Sequence, residues 1–351
     1  MSECLHIVQS AAPKCTGIGK IIMALARHTG PSGYRISTLF FEDGPLRTEM
    51  EREGILADVV PWKGSIKDTL GALRTWNWMR KHPAQIVHVH GGGHMIRTLA
   101  RNTGAAAVIE HVHGLVIEPD LSPLSCLKFS GADAVISCSR AVADSLCETH
   151  SEVIYAGVDI DPNPPAPPSC VGPMRVGVLA RLVPLKRIEA VIEAHSKLAL
   201  MGIDVETDIC GEGSSELLLR DLAKRLGVVD KVRFLGWRND TAALLASWDL
   251  LVMPSMYEGL PIAALEAMAA GRAVVASRVG GLPELIDDGV SGILIPAGDT
   301  DALVRAIRAL AADRSELSKI GYEGWKRASA LFSSDRMSKQ IIALYNRLLR
   351  R

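Results

Sequence analysis

The sequence predicts an α/β protein of two parallel-sheet domains, and three observations carry that expectation. Short apolar runs alternate with stretches of helical period, the pattern of a parallel sheet covered on both faces. Six prolines fall in DPNPPAPPSCVGP, from Pro162 to Pro173, a semi-rigid spacer that divides the chain. With 351 residues there is length for two cores. The expected division is an N-terminal domain over 1–160, a linker over 161–173 and a second domain over 174–332. A last helix, over 333–351, is expected to pack back on the first domain.

Bulk properties exclude several function classes. Apolar residues at 48% and charged ones at 22% are ordinary for a soluble globular chain. A net charge of zero argues against a broad nucleic-acid surface. Seven cysteines show no C-x-x-C pair, which fits reduced thiols in the cytoplasm better than a disulfide framework. The start, MSECLHIVQS, lacks the basic and apolar regions of a signal peptide, and no stretch has the length to span a bilayer. Peripheral attachment at the inner membrane face, through the N-terminal domain, stays open.

In the first domain the strand candidates are 5–9, 34–41, 57–60, 86–90, 107–110 and 134–138. The loop Thr16-Gly17-Ile18-Gly19-Lys20 precedes a helix from about 21 to 28. A Walker loop would need glycine where Lys14 stands and Ser or Thr where Ile21 stands, and a dinucleotide loop would need a third glycine at 22. The loop therefore reads as a tight turn, with Gly17 and Gly19 allowing the backbone to approach a ligand across a cleft. A helix over 66–82 carries Trp76, Trp78, Lys67, Arg74, Arg80 and Lys81. A solvated basic face with buried tryptophans is favoured there over a helix lying on an anionic membrane.

Five of the ten histidines lie between His88 and His113. His90-Gly91-Gly92-Gly93 is like an esterase oxyanion motif, but no G-x-S-x-G elbow accompanies it. A metal site from His88, His90, His111 and His113 is weighed and set aside, because no acidic partner falls at a recognisable metal spacing. The favoured reading ends two neighbouring strands in one cleft, with His113, before Gly114, as the working histidine.

In the second domain strands are expected at 174–180, 203–210, 232–235, 249–253, 273–276 and 292–295. Helices are expected from 188, over 216–226, 262–270 and 299–311, with the last over 334–350. The central stretch is 254–276, PSMYEGLPIAALEAMAAGRAVVA. Pro261 suits a first helical position and Gly271 a stop. Glu258 would stand at the helix start and Glu266 about two turns down. A helix N-terminus at the carboxyl end of a parallel strand suits an anion, and a carboxylate suits paired hydroxyls. Arg181 and Lys186 leave the domain's first strand at the same end. Singly each reads as a solvated surface charge; together they suit a diphosphate. The combination points to a ligand carrying phosphate and sugar.

These residues resemble a known family. SMYEGLPIAALEAMAAGRAVVAS with its E-x7-E spacing, ARLVPLK, ICGEGS, FLGW and VGGLPELIDDGVSGILI are similar, in order, to motifs of glycosyltransferase family 4. The resemblance is specific over about 176–296. HVHG and the Thr16–Gly19 loop extend it into the first domain. Two positions vary: Ala156-Gly157 stands where the family usually has Asn-Gly, and E-G-L-P replaces the common E-P-F-G.

The resemblance implies a GT-B fold, two Rossmann-like parallel-sheet domains facing a cleft, with the acceptor on the first and the nucleotide sugar on the second. It implies a retaining transfer of a hexose-type sugar from a nucleoside-diphosphate sugar, UDP favoured over GDP, to a glycan, lipid-linked or small-molecule hydroxyl. No metal or other cofactor would be needed. Arg181 and Lys186 would neutralise the leaving diphosphate, Glu266 would hold the ribose and Glu258 the donor sugar. The N–H groups of Gly259, Leu260 and Ile262 would lie near sugar or phosphate, with Gly17 and Gly19 also at the donor and His113 by the reacting sugar. The competing readings are a GT-B sugar-nucleotide epimerase and a non-catalytic nucleotide-sugar-binding partner subunit. Slow donor hydrolysis separates a transferase from a binder.

Overall fold

The computed structural model describes residues 2–8, 16–63, 67–91, 93–114, 129–146, 150–169 and 171–350. Gln9, Lys14, Ile66, Gly92 and Cys170, which entered the expectations above, lie outside them. The chain divides into two compact units, one of Met1–Val158 with Ser334–Arg351, the other of Asp159–Ser333.

The first unit runs β1 (Ser2–Val8), α1 (Thr16–Thr29), β2 (Tyr34–Phe40), α2 (Pro45–Arg52), β3 (Leu56–Val59) and α3 (Thr69–Lys81). It continues with β4 (Ile86–His90), α4 (His94–Asn102), β5 (Ala107–Val112), β6 (Ala134–Ser137), α5 (Arg140–Ser145) and β7 (Glu152–Val153). Its sheet has the order β3-β2-β1-β4-β5-β6-β7, and every pairing is parallel. The strand order reverses between β1 and β4, which opens a crevice at their carboxyl ends. Strand β4 is buried along its whole length and β5 along all but its last residue, as in a parallel sheet covered on both faces.

The second unit runs β8 (Met174–Leu179), α6 (Ile188–Leu200), β9 (Val205–Cys210), α7 (Glu216–Arg225), β10 (Val232–Gly236), α8 (Thr241–Ser247) and β11 (Leu250–Met253). It ends with α9 (Ile262–Ala269), β12 (Ala273–Ser277), α10 (Leu282–Leu285), β13 (Ile293–Ile295), α11 (Thr300–Ala312) and α12 (Arg314–Leu331). Its parallel sheet, β10-β9-β8-β11-β12-β13, reverses between β8 and β11. Both sheets thus have the doubly wound order. The core under the second sheet gathers Val176, Val178, Ile192, Leu250, Val252, Val275, Leu303 and Ile307.

The last helix, α13 (Ser334–Leu349), belongs to the first unit. Met337, Ile341, Leu344, Tyr345 and Leu348 form its buried stripe, spaced at three and four residues, and it packs on α1 and β5. The Tyr34 hydroxyl donates to Asn346 Oδ1 at 2.8 Å.

Several local expectations are corrected. Helix α1 starts at Thr16, so Gly17 and Gly19 sit in its first turn, not in a loop before it. The cost of glycine in a helix is offset at Gly19 by packing: a Cβ there would stand 2.3 Å from Leu46 Cδ1 of α2. Helix α3 starts later than expected because Asp68 caps it, accepting from Gly71 N at 3.0 Å. Its Trp76 and Trp78 are half-buried, Trp76 under the Arg80 guanidinium at 4.7 Å and Trp78 stacked on His82. The proline stretch does not hang free. Arg272 donates to Ala166 O, Trp325 Nε1 donates to Asp161 O at 3.2 Å, and Pro165 lies where a Cβ on Gly271 would clash. Helix α12 was not foreseen; Asp313 caps it, accepting from Glu316 N at 2.9 Å. Among the described residues no helix is long and apolar enough to cross a membrane.

Candidate functional site

In the second unit the loops after β8 and β11 meet at the strand-order reversal. Leu185 O accepts from Met256 N at 2.9 Å, tying the Arg181–Lys186 loop to the loop that bears Glu258. Across that tie Lys186 Nζ donates to Glu258 Oε1 at 2.6 Å, with the side chains 17% and 7% exposed. Ser255 Oγ donates to the same oxygen at 2.7 Å. A carboxylate so deeply placed needs such partners, since an unpaired buried charge is strongly disfavoured. Both bonds fall on Oε1, which leaves the lone pairs of Oε2 for a ligand. The ammonium has three protons and spends one on Glu258. Arg181 is exposed, and among the described residues its guanidinium makes no ion pair.

Beyond Glu258 the chain enters α9. Pro261 is the N-cap, in extended backbone, and Ile262 the first helical residue. Pro261 was expected one place further in. With the helix starting there, Glu266 lies one turn in, not two, about 6 Å along the axis. It is half-buried. Among the described residues the N–H groups of Gly259, Leu260 and Ile262 donate to no acceptor, and they open at a helix N-terminus where anions are favoured. Gly259 O accepts from Gly281 N at 2.9 Å, so the V-G-G turn braces the same loop. At the far end Gly271, at φ 68°, donates to Met268 O, and Arg272 N donates to Ala267 O, a Schellman closure. The G-E-G turn lies close under the Arg181 loop: a Cβ on Gly211 would stand 1.9 Å from Ala180 O, and one on Gly213 2.3 Å from Leu182 O. Only glycine admits that approach.

The first unit holds a second arrangement at its own strand-order reversal. Val8, Ile18, His90, Gly91, Val112, His113 and Gly114 line a hollow of about 270 Å³. The start of α1 therefore reaches the same hollow as His113, through Ile18. Behind it five histidines share one face of the sheet, because residues two apart on a strand point the same way. His6 pairs in register with His88, and His90 with His111. His113 Nε2 lies 2.8 Å from His90 Nδ1, and His90 Nε2 lies 2.9 Å from His6 Nδ1. His88 lies 3.2 Å from His111 and 2.7 Å from the Tyr345 hydroxyl. Burial pushes the imidazolium form down, to a pKa of about 4 at His113 and about 3 at His6, and well below the usual range at His88, His90 and His111. All five are neutral at pH 7.

The residues expected at a site thus fall in two groups. Arg181, Lys186, Glu258, Gly259, Leu260, Ile262 and Glu266 belong to the second unit, where Lys186 and Glu258 are in direct contact. Gly17, Gly19 and His113 belong to the first, where Gly19 is turned to Leu46. Sequence reasoning missed Ser255, His6 and Tyr345. The S-x-x-E spacing of Ser255 and Glu258 was a readable signal for a local side-chain bond. His6 could have been found by strand parity with His88. Tyr345 could not, since it meets the histidines only through packing at long sequence distance.

Comparison with known proteins places both halves. Residues 16–162 match the model described as Glycosyltransferase Family 4, and residues 164–327 the model described as Glycosyl transferases group 1. A mannosyltransferase of Mycolicibacterium hassiacum, named MMP alpha-(1->4)-mannosyltransferase, is 32% identical over 182 residues, 50% of this chain and 43% of that protein. The N-acetyl-alpha-D-glucosaminyl L-malate synthase of Bacillus anthracis is 31% identical over 166 residues, 47% of this chain and 43% of that protein. The chain thus spans under half the length of these curated relatives. Anabaena HepE, solved in complex with UDP and glucose, superposes with a TM-score of 0.83 at 21% identity, over 99% of this chain and 100% of that one. That likeness carries the fold, which is GT-B as expected.

Proposed function

The chain belongs to glycosyltransferase family 4, and we propose that it moves a hexose-type sugar from a nucleoside-diphosphate sugar to an acceptor hydroxyl. The observation that carries this reading is the Lys186–Glu258 pair, held at the carboxyl ends of β8 and β11 beside the N–H groups of Gly259, Leu260 and Ile262 at the start of α9. Cation, carboxylate and helix start match the three parts of such a donor: diphosphate, sugar hydroxyls and phosphate oxygens.

In this reading the donor's diphosphate lies against Arg181, Lys186 and the N–H groups of Gly259, Leu260 and Ile262. The two remaining Lys186 protons and the open Arg181 fork take its oxygens. As the bond from the anomeric carbon to the phosphate oxygen breaks, these cations stabilise the growing charge, the work a metal does in other transferases. Glu258 Oε2 accepts from a sugar hydroxyl, and Glu266 holds the ribose hydroxyls. The acceptor oxygen bonds to the anomeric carbon on the face the phosphate leaves, and the departing phosphate oxygen takes its proton. His113, neutral, serves the reacting sugar as a hydrogen-bond partner. A covalent intermediate on Glu258 is disfavoured, since an ammonium and a hydroxyl already bind one of its oxygens and reduce its nucleophilicity. UDP is favoured as the carrier on the analogy of HepE, solved with UDP.

The acceptor is a glycan, a lipid-linked glycan or a small molecule bound on the first unit. We place the protein in the cytoplasm, where the buried thiols of Cys4, Cys138 and Cys210 stay reduced. Contact with the inner membrane face would run through α3, which exposes Leu70 and Leu73 beside Arg74 and Arg80.

The test is a panel of UDP- and GDP-sugars, read by thermal shift and by slow release of the free nucleotide. A donor at a hundred times its dissociation constant adds about 2.7 kcal/mol of stability. A shift with slow hydrolysis that continues in EDTA supports the reading. A shift with no hydrolysis makes the protein a binder, sugar epimers without hydrolysis make it an epimerase, and loss of turnover in EDTA overturns metal independence.

A further inference from the structure

The sequence repeats H-V-H at 88–90 and 111–113, on strands that lie side by side. Strand parity puts all four imidazoles on one face, and three of them, His90, His111 and His113, bring a ring nitrogen each within 4.8 Å of the other two. We propose that these three form a binding site for a divalent transition-metal cation, zinc in the first place.

Three features of the geometry support it. First, His111 is 1% exposed, and its Nε2 is buried without a partner, although buried ring nitrogens normally have one. His111 Nδ1 faces His88 Nε2, so a proton on Nδ1 leaves a bare lone pair on Nε2. That is how ligating imidazoles are held: the second nitrogen donates to a support and fixes the tautomer. Second, a consistent proton assignment exists for the metal-bound state. His88 donates from Nδ1 to the Tyr345 oxygen, and His90 donates from Nε2 to His6 Nδ1, which frees His90 Nδ1. His6 donates from Nε2 to the same Tyr345 oxygen at 3.3 Å, and the Tyr345 proton turns to the Cys4 thiol, with which it shares a hydrogen bond. The second nitrogens of His90 and His111 then each have a partner, as do both nitrogens of His6 and of His88.

Third, the site opens on the hollow lined by His113, which is partly buried and has that space beside its ring. Metal–nitrogen bonds of about 2.0–2.1 Å in a tetrahedron set nitrogens about 3.4 Å apart, so ring rotations must open the His90–His113 pair from 2.8 Å and draw in the other separations, which lie within 4.8 Å. A water would take the fourth position from the hollow. Three imidazoles with one open position suit zinc, and the absence of a carboxylate disfavours magnesium and calcium. This inference shares His113 with the transfer reaction above but does not rest on it, since the charged groups of that reaction lie in the second unit.

The experiment uses the full chain without an affinity tag, stripped with chelator and titrated with Zn²⁺ by calorimetry, with metal content measured after gel filtration. The expected result is one equivalent of zinc retained per chain, and a Co²⁺ derivative with the visible absorption of a tetrahedral site. His113→Ala should abolish retention, and His111→Gln should do the same. His88→Gln, which removes only the support, should weaken binding about 10–100-fold. His113 is at the surface of the cluster, so its variant stays interpretable if His111→Gln fails to fold. No retained zinc in the wild-type chain, or zinc bound equally by folded His113→Ala, overturns the site and leaves the histidines as a stacked core.

Discussion

Replacing Lys186 by methionine isolates what the Lys186–Glu258 pair does in the resting protein. The variant leaves a carboxylate 7% exposed with Ser255 as its one remaining side-chain donor. Losing a charged partner from a buried pair costs about 3–5 kcal/mol, and the 17% exposure of Lys186 brings the expected loss to about 2–3 kcal/mol. Adding Glu258→Gln removes the stranded charge while an amide oxygen still accepts from Ser255. The double variant should therefore recover about 1–2 kcal/mol of the loss. For units of this size 1 kcal/mol moves Tm by about 2–4 °C. The single variant should melt about 4–12 °C below the wild type, and the double variant between them. Calorimetry that resolves the second unit is the assay. A double variant melting at or below the single one refutes the claim that Glu258 is buried as a charge held by Lys186.

Other consequences follow from burial and packing. A Cβ on Gly321 would stand 2.3 Å from Gly271 O, backbone with no freedom to move, so Gly321→Ala should destabilise the second unit by about 1–3 kcal/mol. Gly30→Ala meets nothing within 4 Å and should be near neutral by the same melting assay. Buried His6, His88, His90 and His111, with partly buried His113, have folded pKa values below their unfolded value of 6.5. The unfolded chain therefore takes up protons first as pH falls. The stabilising contribution is whole above pH 6.5 and is lost from there toward pH 4–3, the range set by His113 and His6. Each histidine contributes a slope of at most about 1.4 kcal/mol per pH unit, so urea unfolding at pH 7 and pH 5 should show the first unit failing first. Equal midpoints at the two values would contradict neutral burial.

What could be read in the sequence was what short-range chemistry decides. The strands of both sheets other than the edge strand β7 announce themselves as short runs, and Gly271 marks a helix end. The candidate residues of the second unit were legible because strand ends, a helix start and charge type coincide at Arg181, Lys186 and Glu258. The bond between Lys186 and Glu258 was not, since the residues are 72 apart and meet through two loops joined at Leu185 and Met256. The start of α1 was misplaced because Gly17 and Gly19 read as loop. Gly19 is a packing residue against Leu46, a contact with no local signature. The prolines of 162–173 read as a free spacer because proline stiffness is local, whereas Arg272 and Trp325, which hold that stretch, are distant in sequence.

The central claim is that Arg181, Lys186 and Glu258 act on a nucleoside-diphosphate sugar. The most direct measurement is the rate of nucleoside diphosphate release, with the donor identified by the panel, for wild type, Lys186→Ala and Glu258→Gln in EDTA. The account predicts release by the wild type and a fall of about 10²–10³-fold in Lys186→Ala, with a comparable loss in Glu258→Gln and both variants folded by circular dichroism. Near-normal release by either folded variant would contradict it.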